Sequence, residues 1–241
     1  MNMKKIAFIL LGAMFLINNI DAQKLSHEKF DKLLKKYVSE TGFVDYKGFK
    51  NDPLFKEYLN ELSNHPPQPN WTKNEKLAYW INAYNAFTIQ LIIDNYPVKS
   101  IKEIGGTFGS PWDIEFIQIG GRTYNLNQIE HEILRKQFNE PRIHFAIVCA
   151  SVSCPKLRNE AYVPEKLNDQ LNDQVKEFIN DSSKNIISEN SVKLSQIFNW
   201  FKSDFTKKGS LIDFLNRYSK VKISPKAKIS YLKYNWNLNG K

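Results

Sequence analysis

Apolar positions along the chain recur mostly at helical spacing. Between Ser26 and Glu40 the residues Phe30, Leu33, Leu34, Tyr37 and Val38 fall at i, i+3, i+4, i+7 and i+8, one face of a helix that Gly42 stops. Leu54 to Leu62 predicts a second amphipathic helix, ended by His65-Pro-Pro-Gln-Pro69. Thr72 with Glu75 three residues later is a capping box, and the helix it opens runs to about Asn95, ahead of Pro97. Its apolar residues, from Leu77 and Trp80 to Leu91 and Ile92, lie all around the axis, which predicts a helix buried on most sides and central to the domain. Phe116 to Ile119, Gly120-Gly121 and Arg122 to Tyr124 read as a β-hairpin with a two-residue turn. Asn125 to Phe138 predicts a helix with Leu126, Ile129, Ile133 and Leu134 inward and Asn127, His131 and Arg135 sharing a polar second side. Ile143 to Val148 reads as a buried strand running into a hydroxyl-rich turn. Beyond it the pattern predicts a helix from Pro164 to about Asn180, a short strand at Val192 to Leu194, helices over Ser195 to Phe205 and Ser210 to Tyr218, and an extended piece from Ile229 to Tyr234.

These elements predict an α+β fold: a mostly helical single domain, residues 23–241, around a buried central helix with a small antiparallel sheet. Ahead of it, Met1 to Lys5 is a basic n-region, Ile6 to Ile17 an apolar core, and Ile20-Asp-Ala22 a small-residue cleavage site, so residues 1–22 read as a signal peptide. The apolar run is too short to span a bilayer and is interrupted by Asn18, Asn19 and Asp21. The expected product is exported, periplasmic or secreted, does not span the membrane after signal removal, and is a monomer.

Charge changes the picture little. The chain carries a formal +9, but its lysines are spread and no nucleic-acid motif accompanies them, so a nucleic-acid partner is not expected. A basic surface suits an anionic cell envelope. The loop around Gly105-Gly106 lacks the spacing of a nucleotide loop, no GxSxG supports a serine hydrolase, and Cys149-x4-Cys154 with distant histidines matches no strong zinc pattern. No metal and no cofactor is expected.

Candidate chemistry gathers on a few residues. If Ile143 to Val148 is a strand, alternation turns His144 away from Phe145, Ile147 and Cys149, making Cys149 an inert core thiol and leaving Cys154, in the loop beyond, as the candidate nucleophile. His131 ahead of His144 is the candidate base, with Glu130 or Asn82 to orient the ring. Asn82 and Asn85 share one face of the central helix, and each, if buried, needs a hydrogen-bond partner: neighbouring backbone in the structural reading, a substrate in the functional one. An oxidising compartment favours a Cys149–Cys154 disulfide, whereas the predicted strand points Cys149 away from Cys154. A disulfide would leave no free nucleophile and so count against thiol chemistry.

Six motifs in order, Tyr79-Trp-Ile-Asn-Ala-Tyr-Asn85, Ser110-Pro-Trp-Asp113, Ile129-Glu-His-Glu-Ile-Leu-Arg135, the stretch Arg142 to Pro155, Arg158-Asn-Glu-Ala-Tyr162 and Tyr234-Asn-Trp-Asn-Leu-Asn239, resemble the uncharacterised family called domain of unknown function 547 over about residues 42–239. Trp80, Asn85, Arg135 and Arg158, which lie in or beside these motifs, are candidates for substrate binding. The resemblance implies distant similarity to papain-like and transglutaminase-like folds, and through them a thiol-dependent hydrolase or acyltransferase acting on amide or ester bonds of an unknown envelope substrate. Those enzymes carry cysteine at the start of a buried helix, and here the helix with comparable aromatic surroundings has Asn82 and no cysteine. A non-catalytic envelope-binding or structural module with a degenerate site is therefore the alternative.

Overall fold

A computed structural model describes residues 25–106 and 109–241, so the expected signal peptide lies outside the described residues. Helices α2 (Tyr46–Asn51) and α3 (Pro53–Asn64) pack on α4 (Lys73–Asp94), and α1 (Glu28–Tyr37) packs on α2 and α3. Each start has a chemical cause. Asp45 and Asp52 cap α2 and α3, Pro53 pre-sets the first turn of α3, and Thr72 and Glu75 close the capping box of α4; such caps contribute about 1 kcal/mol each. Along α4 nearly every residue from Leu77 to Ile93 is buried, as the all-round apolar pattern predicts.

Two asparagines of α4 replace the backbone partners of neighbouring loops. Asn82 donates to Tyr162 O at 2.7 Å and accepts Tyr162 N–H at 3.0 Å. Asn85 donates to Ala146 O at 2.9 Å and accepts Val148 N–H at 3.0 Å.

The expected hairpin is present as β1 (Ile117–Ile119) and β2 (Arg122–Tyr124), antiparallel, with Gly120 and Gly121 at φ 58° and 75° in the turn. Next, Asn125 and Gln128 bond each other's backbone N–H, and a π-helical turn, Gln128–Leu134, follows and runs into α5 (Arg135–Gln137). The wider π turn still buries Ile129, Ile133 and Leu134.

The stretch read as a strand is not one. Pro141–Phe145 is a 3₁₀ helix, with Pro141 at its first position and the Glu140 carboxylate accepting Arg142 N–H at 3.1 Å. The Arg142 guanidinium closes on Glu140 and on Asn172, holding the turn from outside. Asn85 satisfies the Ala146 and Val148 backbone groups that a neighbouring strand would have bonded, so β-branched residues here pack without a sheet.

Helix α6 (Leu167–Asn180) joins two cores, with Leu167 and Leu171 in the core around α4 and Val175, Phe178 and Ile179 in a second, phenylalanine-rich one. The second core is covered by β3 (Ile186–Ile187), β4 (Ser191–Leu194), α7 (Ile197–Trp200), α8 (Lys202–Phe205), α9 (Leu211–Asn216) and β5 (Lys228–Tyr231). β4 pairs antiparallel with β3 and parallel with β5, the parallel pair being reached through the crossover that holds α7 to α9. The result is an α+β fold, mostly helical, with one antiparallel hairpin and a second small sheet that is mixed. Among the described residues no helix is long and apolar enough to cross a membrane.

Candidate functional site

Where the two cores meet, a cleft of about 220 Å³ opens. Its floor and one side come from α4 (Tyr84), Asn127 and the π turn that follows it (Glu130, His131), and the 140s stretch (His144, Ile147, Cys149). The opposite side is aromatic: Trp112, Trp200, Phe201, Tyr234 and Trp236. Trp236 packs against Trp112 and Trp200, each at 5.8 Å, and against Tyr234 at 4.6 Å between ring centroids.

Asp204 of α8 organises the charged groups behind this surface. Its Oδ2 accepts the Nε2 proton of His144 at 2.8 Å and Arg135 Nε–H at 2.7 Å. Burial pushes the Asp204 carboxyl up, but the hydrogen bonds from His144 and Arg135 and the charge of Arg135 outweigh it and hold it well below the carboxylate range. Because Arg135 already neutralises Asp204, burial dominates at His144, whose pKa is lowered and which stays a neutral imidazole. The Nε2–H bond to Asp204 selects the tautomer that leaves Nδ1 as a lone pair, and buried Nδ1 has no hydrogen-bond partner. Phe201 stacks on the ring at 4.0 Å between centroids and shields it.

His131 has the complementary tautomer. Its Nδ1 accepts from Arg135 Nη1 at 3.1 Å, so Nε2 carries the proton, and burial and the Arg135 charge lower its pKa. Glu130 is buried and accepts the Tyr84 hydroxyl at 3.1 Å; desolvation pushes its carboxyl up to about 7. The cleft is thus lined by a neutral imidazole whose Nδ1 has no hydrogen-bond partner, by a second imidazole that carries its proton on Nε2, and by a carboxyl group raised to about 7.

Cys149 and Cys154 form a disulfide that lines the same cleft. This corrects the expectation that a strand would turn Cys149 from both His144 and Cys154: with a turn in place of the strand, all three face one cavity. Cys149 is half-buried and Cys154 buried. The Cys149 N–H donates to Cys154 Sγ at 2.8 Å, while Cys149 Sγ lies 3.2 Å from both Ser151 Oγ and Tyr234 Oη.

Of the residues singled out from sequence, Cys154, His131, His144 and Glu130 converge here, and Arg135 stands behind His131. Glu130 bonds Tyr84, and the group that orients a ring is Asp204. The other candidates lie elsewhere. Asn82 and Asn85 are fully used by backbone, Trp80 packs edge-on against Tyr79 and Tyr124 on another side of α4, and Arg158 pairs with Glu160. Asp204 carried no sequence signal, being one acid in a short helix; Tyr234 and Trp236 had one, the closing aromatic motif. Among the described residues no group of three or more His, Cys, Asp or Glu is placed to hold a metal ion.

Fold and site together define an α+β domain with a His–Asp pair facing a cystine in a partly aromatic cleft. Residues 68–179 match the family model described as "Protein of unknown function, DUF547", a match that supports assignment of the chain to that family. The matched segment holds Tyr84, Glu130, His131, His144 and both cysteines, whereas Asp204, Trp200, Tyr234 and Trp236 lie beyond it. No curated protein and no solved structure matches the chain, and the likeness to papain-like or transglutaminase-like folds is not shown.

Proposed function

We propose that the protein is an exported, thiol-dependent hydrolase or acyltransferase acting on amide or ester bonds of the cell envelope, with Cys154 as nucleophile in the reduced state. The observation that carries this reading is the unpartnered, buried Nδ1 of His144, held by Asp204 in the cleft that contains both cysteines. A thiol enzyme needs an imidazole nitrogen free to take the thiol proton and a group behind the ring to fix its tautomer. The geometry favours His144 over His131 as base, since Arg135 occupies His131 Nδ1.

With the cystine reduced, His144 Nδ1 takes the Cys154 proton and the amide N–H of Cys149 stabilises the thiolate. The sulfur attacks the carbonyl carbon, a C–S bond forms, and the carbonyl oxygen becomes an oxyanion for which the Nε2–H of His131 is the proposed donor. Collapse expels the amine or alcohol, which takes the proton from His144, and water or an acceptor amine then attacks the thioester. Glu130 supplies or accepts a proton on the same side of the cleft.

The alternative, an envelope-binding module without chemistry, draws on the cystine itself and on the aromatic wall. Reaction of the reduced protein with p-nitrophenyl acetate separates the two. An acyl group recovered on Cys154 by mass spectrometry, and lost in His144→Ala with the fold intact by circular dichroism, is the expected result. Acylation no faster than that of a model thiol, and equal in wild type and variant, leaves the binding module.

A further inference from the structure

We propose that the Cys149–Cys154 cystine is a thiol–disulfide exchange site, attacked at Cys149 with Cys154 as leaving group, through which a dithiol switches the cleft on. The inference rests on the acyl-transfer reading for what is switched, though not for the exchange chemistry itself.

Three features converge on it. First, the two cysteines differ in exposure: both line the cleft, but Cys149 is half-buried and Cys154 buried. An incoming thiolate reaches Cys149 first, and access decides which sulfur of a disulfide is attacked. Second, the leaving sulfur is prepared for negative charge. The Cys149 N–H already points at Cys154 Sγ at 2.8 Å, and a lower thiol pKa makes a faster leaving group. At the other sulfur the Tyr234 hydroxyl, kept protonated by burial and accepting from Ser151, has its proton free for Cys149 Sγ at 3.2 Å.

Third, the turn does not depend on the cystine for its shape. Ala150, in the left-handed region at φ 55°, and its neighbours are tied to the C-terminal segment by backbone. Val152 N–H donates to Asn237 O at 2.8 Å, Ser153 N–H to Asn235 O at 3.1 Å and Asn239 N–H to Ala150 O at 3.2 Å. That segment also carries Tyr234 and Trp236 of the cleft. Opening the S–S bond therefore frees two thiols inside a cleft that keeps its form.

The chemistry balances with a dithiol as reductant. Its first thiolate attacks Cys149 Sγ, an S–S bond forms to the reagent, and the bond to Cys154 breaks with the electron pair leaving on Cys154. The second thiolate of the reagent then attacks its own bridged sulfur and releases the Cys149 thiolate. The reagent ends as a disulfide, two electrons have passed to the protein, and the two protons lost by the dithiol are those the cysteines need to become thiols.

The test uses the folded, oxidised protein. Glutathione is added, the mixture is quenched with N-ethylmaleimide, and the peptides are mapped. The expected product carries glutathione on Cys149 and maleimide on Cys154. After dithiothreitol both cysteines take maleimide without loss of the near-ultraviolet circular dichroism spectrum, while Cys149→Ala exposes a labelled Cys154 with no reductant. Glutathione on Cys154, or a cystine that opens only in denaturant, overturns the proposal. Acyl transfer to Cys154 from p-nitrophenyl acetate is measured on the same samples, so absent acylation with the expected exchange pattern refutes the enzyme reading alone. Acylation in Cys149→Ala but never in dithiothreitol-treated wild type refutes the switch alone.

Discussion

Asp204 accepts the Nε2 proton of His144 at 2.8 Å across 60 positions of sequence, and the same oxygen accepts from Arg135. One carboxylate therefore sets the tautomer of the ring and anchors the cation that holds His131. Asp204→Asn keeps the shape but removes the charge, leaving Arg135 without its counter-ion at a cost of about 1–3 kcal/mol in stability. The carboxyl is depressed below its usual value of 3.8, so its contribution is present above that value and fades as pH falls further. Melting curves across pH should accordingly show that the gap between wild type and Asp204→Asn narrows in acid. As a positioning residue Asp204 should also shift the pH profile of Cys154 alkylation in the reduced protein, which a purely structural role would not do. An unchanged profile would remove it from the site.

Glu130 behaves with the opposite sign. Its pKa is raised from 4.5 to about 7 by burial, so the folded state holds a proton that the unfolded chain releases, and stability drops as pH rises between those values. In Glu130→Gln that slope should vanish, making the variant more stable than wild type at pH 8, relative to pH 4, by on the order of 3 kcal/mol. Paired thermal melts at the two pH values check it. Parallel curves for both proteins would mean that Glu130 ionises freely.

The four hydrogen bonds of Asn82 and Asn85 are a fold requirement, distinct from the cleft. Asn85→Ala strands the Ala146 carbonyl and the Val148 N–H in the core, at a cost of about 2–4 kcal/mol. Urea unfolding should show that loss, and alkylation of reduced Cys154 at subdenaturing urea should be unchanged in rate constant if Asn85 acts only through the fold.

Export predicts that protein recovered from its native host begins at Gln23, the residue after the Ile20-Asp-Ala22 site. Intact-mass measurement reads this directly; a chain that starts at Met1 in the membrane fraction would refute cleavage.

Local chemistry was legible in the sequence wherever one segment decides its own conformation. The capping box at Thr72 and Glu75, the all-round apolar face of α4 and the Gly120-Gly121 turn each act within a few residues, and all three appear where they were expected. The polar row of the 125–138 helix left two readings open, a solvated face or a cleft, and it is the tertiary structure that puts His131 and Glu130 on a cleft with Cys154. What failed was the 140s stretch. Its β-branched residues match a strand and a buried turn equally well, and the choice was made by Asn85 and Asn172, side chains from other segments, together with the Glu140 cap at its own start. With the strand went the alternation that had separated His144 from Cys149. Asp204 was invisible for the same reason: one carboxylate on a four-residue helix gains a role only once packing of the second core carries it to His144. Patterns repeat along a chain because backbone geometry is local, whereas a proton acceptor is chosen by distance in space, and only the tertiary structure decides that.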